Sequence, residues 1–113
     1  MIREIDRPEK LTFRLIARDQ QHSDFDWMSI DCGTTRVGKV RGFLDDKNLT
    51  VYSINIFPEF EGCGYARKTI EMFKSNFDTI IADRARHTAI GFWEKMGFAA
   101  DNNGNYVWKR RQQ

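Results

Sequence analysis

The sequence predicts an α/β fold: one mixed, mainly antiparallel sheet of about six or seven strands with two helices and a central strand–helix–strand unit. Three observations lead there. Short stretches of period-two alternation separated by turn residues fill the first half. A strand, a glycine loop and an amphipathic helix follow one another from Val51 to Phe77, and a second helical pattern and a last alternating stretch come after them. At 113 residues the chain reads as one domain, residues 1–113, with a single core.

Leu11–Ala17 alternates as a strand, and the polar run Asp19–Asp24 ends it. Trp27–Cys32 and Val37–Leu44 flank a turn at Gly33-Thr34-Thr35, which makes a hairpin, and Asp45–Asn48 forms the next turn. In the next strand, Tyr52, Ile54 and Ile56 alternate with Val51, Ser53 and Asn55 until Pro58 stops the ladder. Ala66, Ile70, Phe73 and Phe77 then recur at helical spacing, with Arg67, Lys68, Glu71 and Lys74 on the other side, so a helix starts near Tyr65. Thr79–Ala82 is a short apolar run suited to a buried strand parallel to Val51–Phe57. Ala89, Phe92, Trp93 and Met96 share one helical face, and Gly97 is placed to end that helix. After a turn at Asn102-Asn103-Gly104, Tyr106–Trp108 supplies a last strand.

The junction from Ile54 to Lys68 carries the chemistry. Gly62 and Gly64 allow backbone angles and a close approach that a Cβ would forbid. The first N–H groups of the helix point outward with the positive end of its dipole, so an anion is the natural occupant. A dinucleotide fingerprint fails at its third glycine, where Arg67 stands. A P-loop is a nearer miss: Gly62, Lys68 and Thr69 fit, and Ile80–Asp83 could serve as its acidic strand, but Arg67 replaces the second glycine.

Glu61-Gly62-Cys63-Gly64-Tyr65-Ala66 resembles the Q/R-x-x-G-x-G/A motif of the GNAT superfamily of acyl-CoA-dependent N-acyltransferases, and Ile56-Phe57-Pro58 resembles the V-x-P that leads into it. Ala89–Phe98 is similar to that family's second signature, A-x-x-F-Y-E-K-x-G-F. The resemblance runs from Asn48 onward. It implies that acetyl-CoA is the cosubstrate, its pyrophosphate on backbone N–H groups from Gly62 through Cys63, Gly64, Tyr65 and Ala66 to Arg67, with pantetheine added to the Ile54–Ile56 edge like an extra strand. Arg67 and Lys68 would add cationic contacts. The family transfers the acyl group directly to an amine, and the alignment places the carbonyl-polarising backbone N–H at Ile54.

The chain departs from the family at several positions. Glu61 brings a carboxylate near a pyrophosphate, and Arg86 stands where an asparagine often faces pantetheine. Trp93 takes the place of the tyrosine that protonates the thiolate, and an indole N–H is no comparable acid. Thr50 stands where some relatives carry a glutamate base, leaving Tyr52, Ser53, Tyr65 and Tyr106 as candidate proton carriers. Cys63 has no evident base beside it and reads as a loop residue rather than an acyl acceptor. The two helices that the family inserts after its first strand are missing, their place taken by the short polar run. An open groove of this kind suits a protein lysine or N-terminus, or a pocket completed by the second copy in a homodimer. The alternative is a module that binds acyl-CoA or a protein partner without catalysis.

Composition narrows the rest. A net charge of +2, spread along the chain, is no footprint for nucleic acid. Cys32, Cys63, His22 and His87 form no metal-ligand pair, so neither a metal site nor a disulfide is expected. No apolar run is long enough to span a bilayer, and Met1–Arg7 has no apolar signal core, which predicts a cytoplasmic protein.

Overall fold

The computed structural model describes residues 10–18 and 24–111. The charged start Met1–Arg7 and the polar residues Asp19–Ser23, His22 among them, lie outside the described residues. Seven strands form one sheet: β1 (Leu11–Ile16), β2 (Asp26–Cys32), β3 (Thr35–Asp45), β4 (Asn48–Ile56), β5 (Thr79–Ala82), β6 (Ala99–Ala100) and β7 (Tyr106–Lys109). Their spatial order is β1-β2-β3-β4-β5-β7-β6. β4 and β5 pair in parallel, and the other neighbours are antiparallel. Helix α1 (Tyr65–Asn76) links β4 to β5, and α2 (Ile90–Lys95) follows β5.

Local chemistry sets these boundaries. The two tight hairpins turn at Gly33-Thr34 and at Asp46-Lys47, where Gly33 and Asp46 take positive φ of 64° and 56°, the hand that matches strand twist. Gly97, at φ 88°, ends the second helical segment as its spacing predicts. Strand β6 is only two residues long, too short for any alternation to announce it.

The core lies on one face of the sheet. Ile30, Val40, Leu49 and Ile80 are wholly buried there, and Ile70 and Phe73 of α1 close over them. The Phe13 ring meets Phe73 edge-on at 5.5 Å, which ties β1 to the same helix. α2 brings Trp93 and Met96 to that face, and Lys74 of α1 donates to the Met96 carbonyl. The opposite face has no helix over it among the described residues, because the connection between β1 and β2, residues 17–25, is too short to hold two.

In two respects the structure corrects the sequence reading. β5 does not run beside Val51–Phe57: its pairing covers Asn48–Val51, ending at Val51↔Ala82. Nor does β4 keep a single phase. Leu49 and Val51 are buried, Ser53 and Asn55 are exposed, and Ile54 and Ile56 are half-buried, so the apolar positions slip by one at Tyr52. The cause is a bulge: Gly42 pairs with Val51 and Arg41 with Ser53, leaving Tyr52 as the extra residue.

Asp26, at the start of β2, is the buried polar clasp of the sheet. Its carboxylate accepts from the Arg18 and Leu44 backbone N–H groups, both at 2.8 Å, and from Arg18 Nη1 at 2.9 Å. Asp26→Ala strands these donors, and urea unfolding is expected to show a loss of about 2–4 kcal/mol. Asp78→Ala, which removes the exposed pair with Arg110, is expected to cost less than about 1 kcal/mol.

Candidate functional site

Beyond Val51 and Ala82 the two parallel strands separate. The Asp83 N–H still reaches the Val51 carbonyl at 2.9 Å, and then Arg84 turns into the left-handed region at φ 47°. Its N–H donates to Asn105 Oδ1 at 2.9 Å, and the Ala85 N–H donates to the Gly104 carbonyl at 3.0 Å. The chain after β5 is thus held by the β6–β7 turn rather than by β4. Asp101 braces that turn: the Asn103 N–H and the Asn105 side chain bond its carboxylate and hold it below the usual aspartate range.

The bulge decides which way the freed part of β4 faces. Val51 turns its carbonyl toward β5. The Phe57 N–H donates to the Val37 carbonyl at 2.9 Å and so faces β3, and alternation then turns the backbone groups of Ile56 and Ile54 to the β5 side, where no strand accompanies them. Without the extra residue, Ile54 would have the opposite parity to Val51 and would spend its N–H on β3.

A cleft of about 500 Å³ fills this fork. Of the residues that the sequence singles out, Ile54, Ile56, Ala66, Arg86 and Trp93 line it together. Trp93 is buried and packs at 5.0 Å from Phe92 and 4.9 Å from Phe98, so it forms part of the cleft floor rather than a flap over its mouth. Of the candidate proton carriers, Tyr52 and Ser53 line the cleft, whereas Tyr65 and Tyr106 do not. Arg41 and Arg84 also line it and escaped the sequence reading, as does Asp83, which the sequence offered only as the acid of a P-loop strand. Arg41 sits inside an ordinary strand pattern, and only its register opposite Ser53 brings it to the fork.

Glu61, Gly62, Cys63 and Gly64 form an exposed loop at the other end, where α1 begins. Gly62 and Gly64 have φ of 82° and 78°, and a Cβ built on either meets no atom within 4 Å, so the space beside them is open. At the start of α1 the Lys68 N–H donates to the Gly64 carbonyl at 3.0 Å. The Ala66 and Arg67 amides precede that bond and lack a carbonyl one turn earlier. No side chain caps this end. Arg67 and Lys68 are exposed, with Lys68 Nζ 5.6 Å from the Tyr65 ring centre. Glu61 is exposed too, free to turn away from an anion. Ala66 joins this anion-receptive loop to the cleft. Among the described residues no three His, Cys, Asp or Glu side chains are grouped as a metal site would need, and no helix is long and apolar enough to cross a membrane.

No family model matches the chain. A stretch of 50 residues, 44% of the chain, is 36% identical to an uncharacterized N-acetyltransferase of Oceanobacillus iheyensis and spans 31% of that protein, under a third of its length. Among solved structures, the Bacillus subtilis N-acetyltransferase YlbP in complex with coenzyme A superposes with a TM-score of 0.56 at 20% identity, covering 75% of this chain and 70% of that one. A GNAT-family structure from Desulfovibrio desulfuricans superposes with a TM-score of 0.58 at 11% identity, covering 88% and 99%. At these identities the likeness is one of fold.

The glycines separate strain from packing. Gly64→Ala places a Cβ in open space but at a left-handed φ, and is expected to lower stability by about 1–2 kcal/mol in urea unfolding. Gly91→Ala, in α2 with the same open space and no positive φ, is expected to raise it by about 0.5–1 kcal/mol.

Proposed function

Taking as premise that this chain has the GNAT fold, we propose that it binds acetyl-CoA or a related acyl-CoA and transfers the acyl group to an amine. One observation carries this reading: the forked β4 edge presents the Ile54 and Ile56 backbone groups to a cleft that leads, past Ala66, to the open start of α1. A pantetheine arm carries amide groups able to pair with such an edge, and its pyrophosphate is the anion that the Gly62–Arg67 amides would hold. The bound cosubstrate places its thioester near Ile54. The known proteins with this fold that bind coenzyme A support the same reading.

In the reaction the amine nitrogen attacks the thioester carbonyl carbon. The carbon–nitrogen bond forms, the carbon–sulfur bond breaks, the ammonium proton leaves to solvent through the open mouth, and the departing thiolate takes a proton from water. The Ile54 N–H donates to the carbonyl oxygen as negative charge develops there, a contribution of about 10²–10³-fold. Proximity supplies the larger share. With Trp93 on the cleft floor no tyrosine stands at the family's acid position, and a general acid is worth about 10²–10⁴-fold, so turnover is slow. Tyr52 and Ser53 are the hydroxyl groups that line the cleft. Acyl-CoA as cosubstrate fits a cytoplasmic place of action, and the uncovered mouth fits an acceptor presented by a protein or completed by a second copy.

Trp93 also favours a second reading, an acyl-CoA-binding module without catalysis. Calorimetric titration with acetyl-CoA, with Mg-ATP as the control ligand, separates these readings from a P-loop. Acetyl-CoA is expected to bind and Mg-ATP not to, and Lys68→Ala is expected to weaken acetyl-CoA binding by only about two- to fivefold, as suits an exposed phosphate contact. Labelled acyl transfer to an amine library is expected above the uncatalysed background. Binding with no transfer would establish the module, and binding of Mg-ATP alone would overturn both.

A further inference from the structure

Arg41 is a cleft residue whose polar chemistry is left open. It lies on β3 opposite Ser53, at the bulge. Its Nε is buried and has no hydrogen-bond partner among the described residues. Its guanidinium carbon stands 4.8 Å from the centre of the Phe25 ring, and that ring packs edge-on against Tyr52 at 5.2 Å. The head group is therefore braced by aromatic packing. No carboxylate lies within ion-pair distance of it among the described residues, although Asp83 lines the same cleft. A buried N–H with no acceptor is costly, and a planar guanidinium held against a ring is preorganised for a two-pronged acceptor.

The phosphates of the cosubstrate cannot be that acceptor. Ser53 lies three residues before Ile56, the last of β4, so the Arg41 backbone sits roughly 10 Å back from the end of the strand, and the glycine loop is farther on. Arg41 instead stands on the acceptor's side of Ile54. We infer that Arg41 recognises a carboxylate on the acceptor, so that the substrate of this site is an amine that carries a carboxylate close to it. The inference rests on the acyl-transfer reading above. Asp83, also at the fork, would attract the ammonium end of such a molecule, while Arg84 and Arg86 keep the cleft lining cationic overall. A free amino acid and a lysine flanked by acidic residues share this chemistry.

The test compares matched acceptors on the full chain with saturating acetyl-CoA. One arm sets common L-amino acids against their carboxamides. The other sets a lysine peptide flanked by glutamates against the same peptide flanked by glutamines. The carboxylate member of one pair is expected to have a KM about 10- to 100-fold lower, with the first arm assigning a free amino acid and the second an acidic segment. Arg41→Gln is expected to abolish the preference, and Arg41→Lys, a point charge without the fork, to restore it only in part, with the KM for acetyl-CoA unchanged in both. Equal KM values within both pairs would overturn the inference. A readout independent of turnover is the Arg41 Nε–Hε resonance, assigned by its loss in Arg41→Gln. It is expected to shift on titration with the carboxylate acceptors and not with their amides, and a resonance indifferent to both would also overturn the inference. Failure of acetyl-CoA to bind would overturn the proposed function instead, with the resonance still deciding the role of Arg41.

Discussion

The hydrogen bond from the Asp83 N–H to the Val51 carbonyl is the last that joins β4 to the chain leaving β5, and the candidate site exists because the pairing stops there. A parallel pair left to itself would go on pairing, since every buried backbone group needs a partner. Two features stop it here. On one side, Arg84 turns left-handed and Arg84 and Ala85 give their N–H groups to Asn105 and Gly104, which commits the β5 exit to the β6–β7 turn. On the other, the extra residue Tyr52 keeps β4 on β3 while reversing the parity of the strand from Ser53 to Ile56. The fork costs β4 a row of ladder bonds. It leaves an edge of unspent donors and acceptors inside a cleft, the opposite of the blunted edge that a sheet ordinarily presents.

Packing makes that arrangement rigid. Leu49, Val51, Ile80 and Ala82, the paired part of the two strands, are all buried under α1. The same helix carries the anion-receptive amides at its start and contacts β1 through Phe13 and Phe73. The geometry of the glycine loop and the core packing are therefore set by one element, and α1 cannot shift its first turn without disturbing Ile70 and Phe73, both wholly buried. The clasp of Lys74 on the Met96 carbonyl extends the constraint to α2 and so to Trp93 on the cleft floor.

Much of this was legible in the residues. The glycine loop, the helix it opens and every strand but the two-residue β6 follow from Gly62, Gly64, Pro58 and simple periodicity, because each depends on local backbone chemistry. The GNAT resemblance rested on the same stretch and on Ala89–Phe98, and the fold agrees with it. The fork is hidden when Val51–Phe57 is read as one continuous partner of Thr79–Ala82. The run from Leu49 to Ile56 holds two alternations, Leu49 with Val51 and Ile54 with Ile56, one residue out of step, and a strand taken as continuous hides the slip at Tyr52. That slip was the available signal for a bulge. Arg41 could not be found at all from sequence, because its place in the cleft depends on the register between β3 and β4, and register is a tertiary property.

The amides of Ile54 and Ile56 face the cleft without strand partners, and in the proposed function they are the groups that an acyl-CoA engages. Residue-resolved amide hydrogen exchange, with and without acetyl-CoA, is the decisive measurement. Ile54 and Ile56 are expected to exchange fast in the free protein while Phe57, bonded to Val37, and Asp83, bonded to Val51, are protected, and acetyl-CoA is expected to slow the first two selectively. Slow exchange at Ile54 and Ile56 in the free protein would rule out the open edge, and no change there with the ligand bound would rule out its role in binding acyl-CoA.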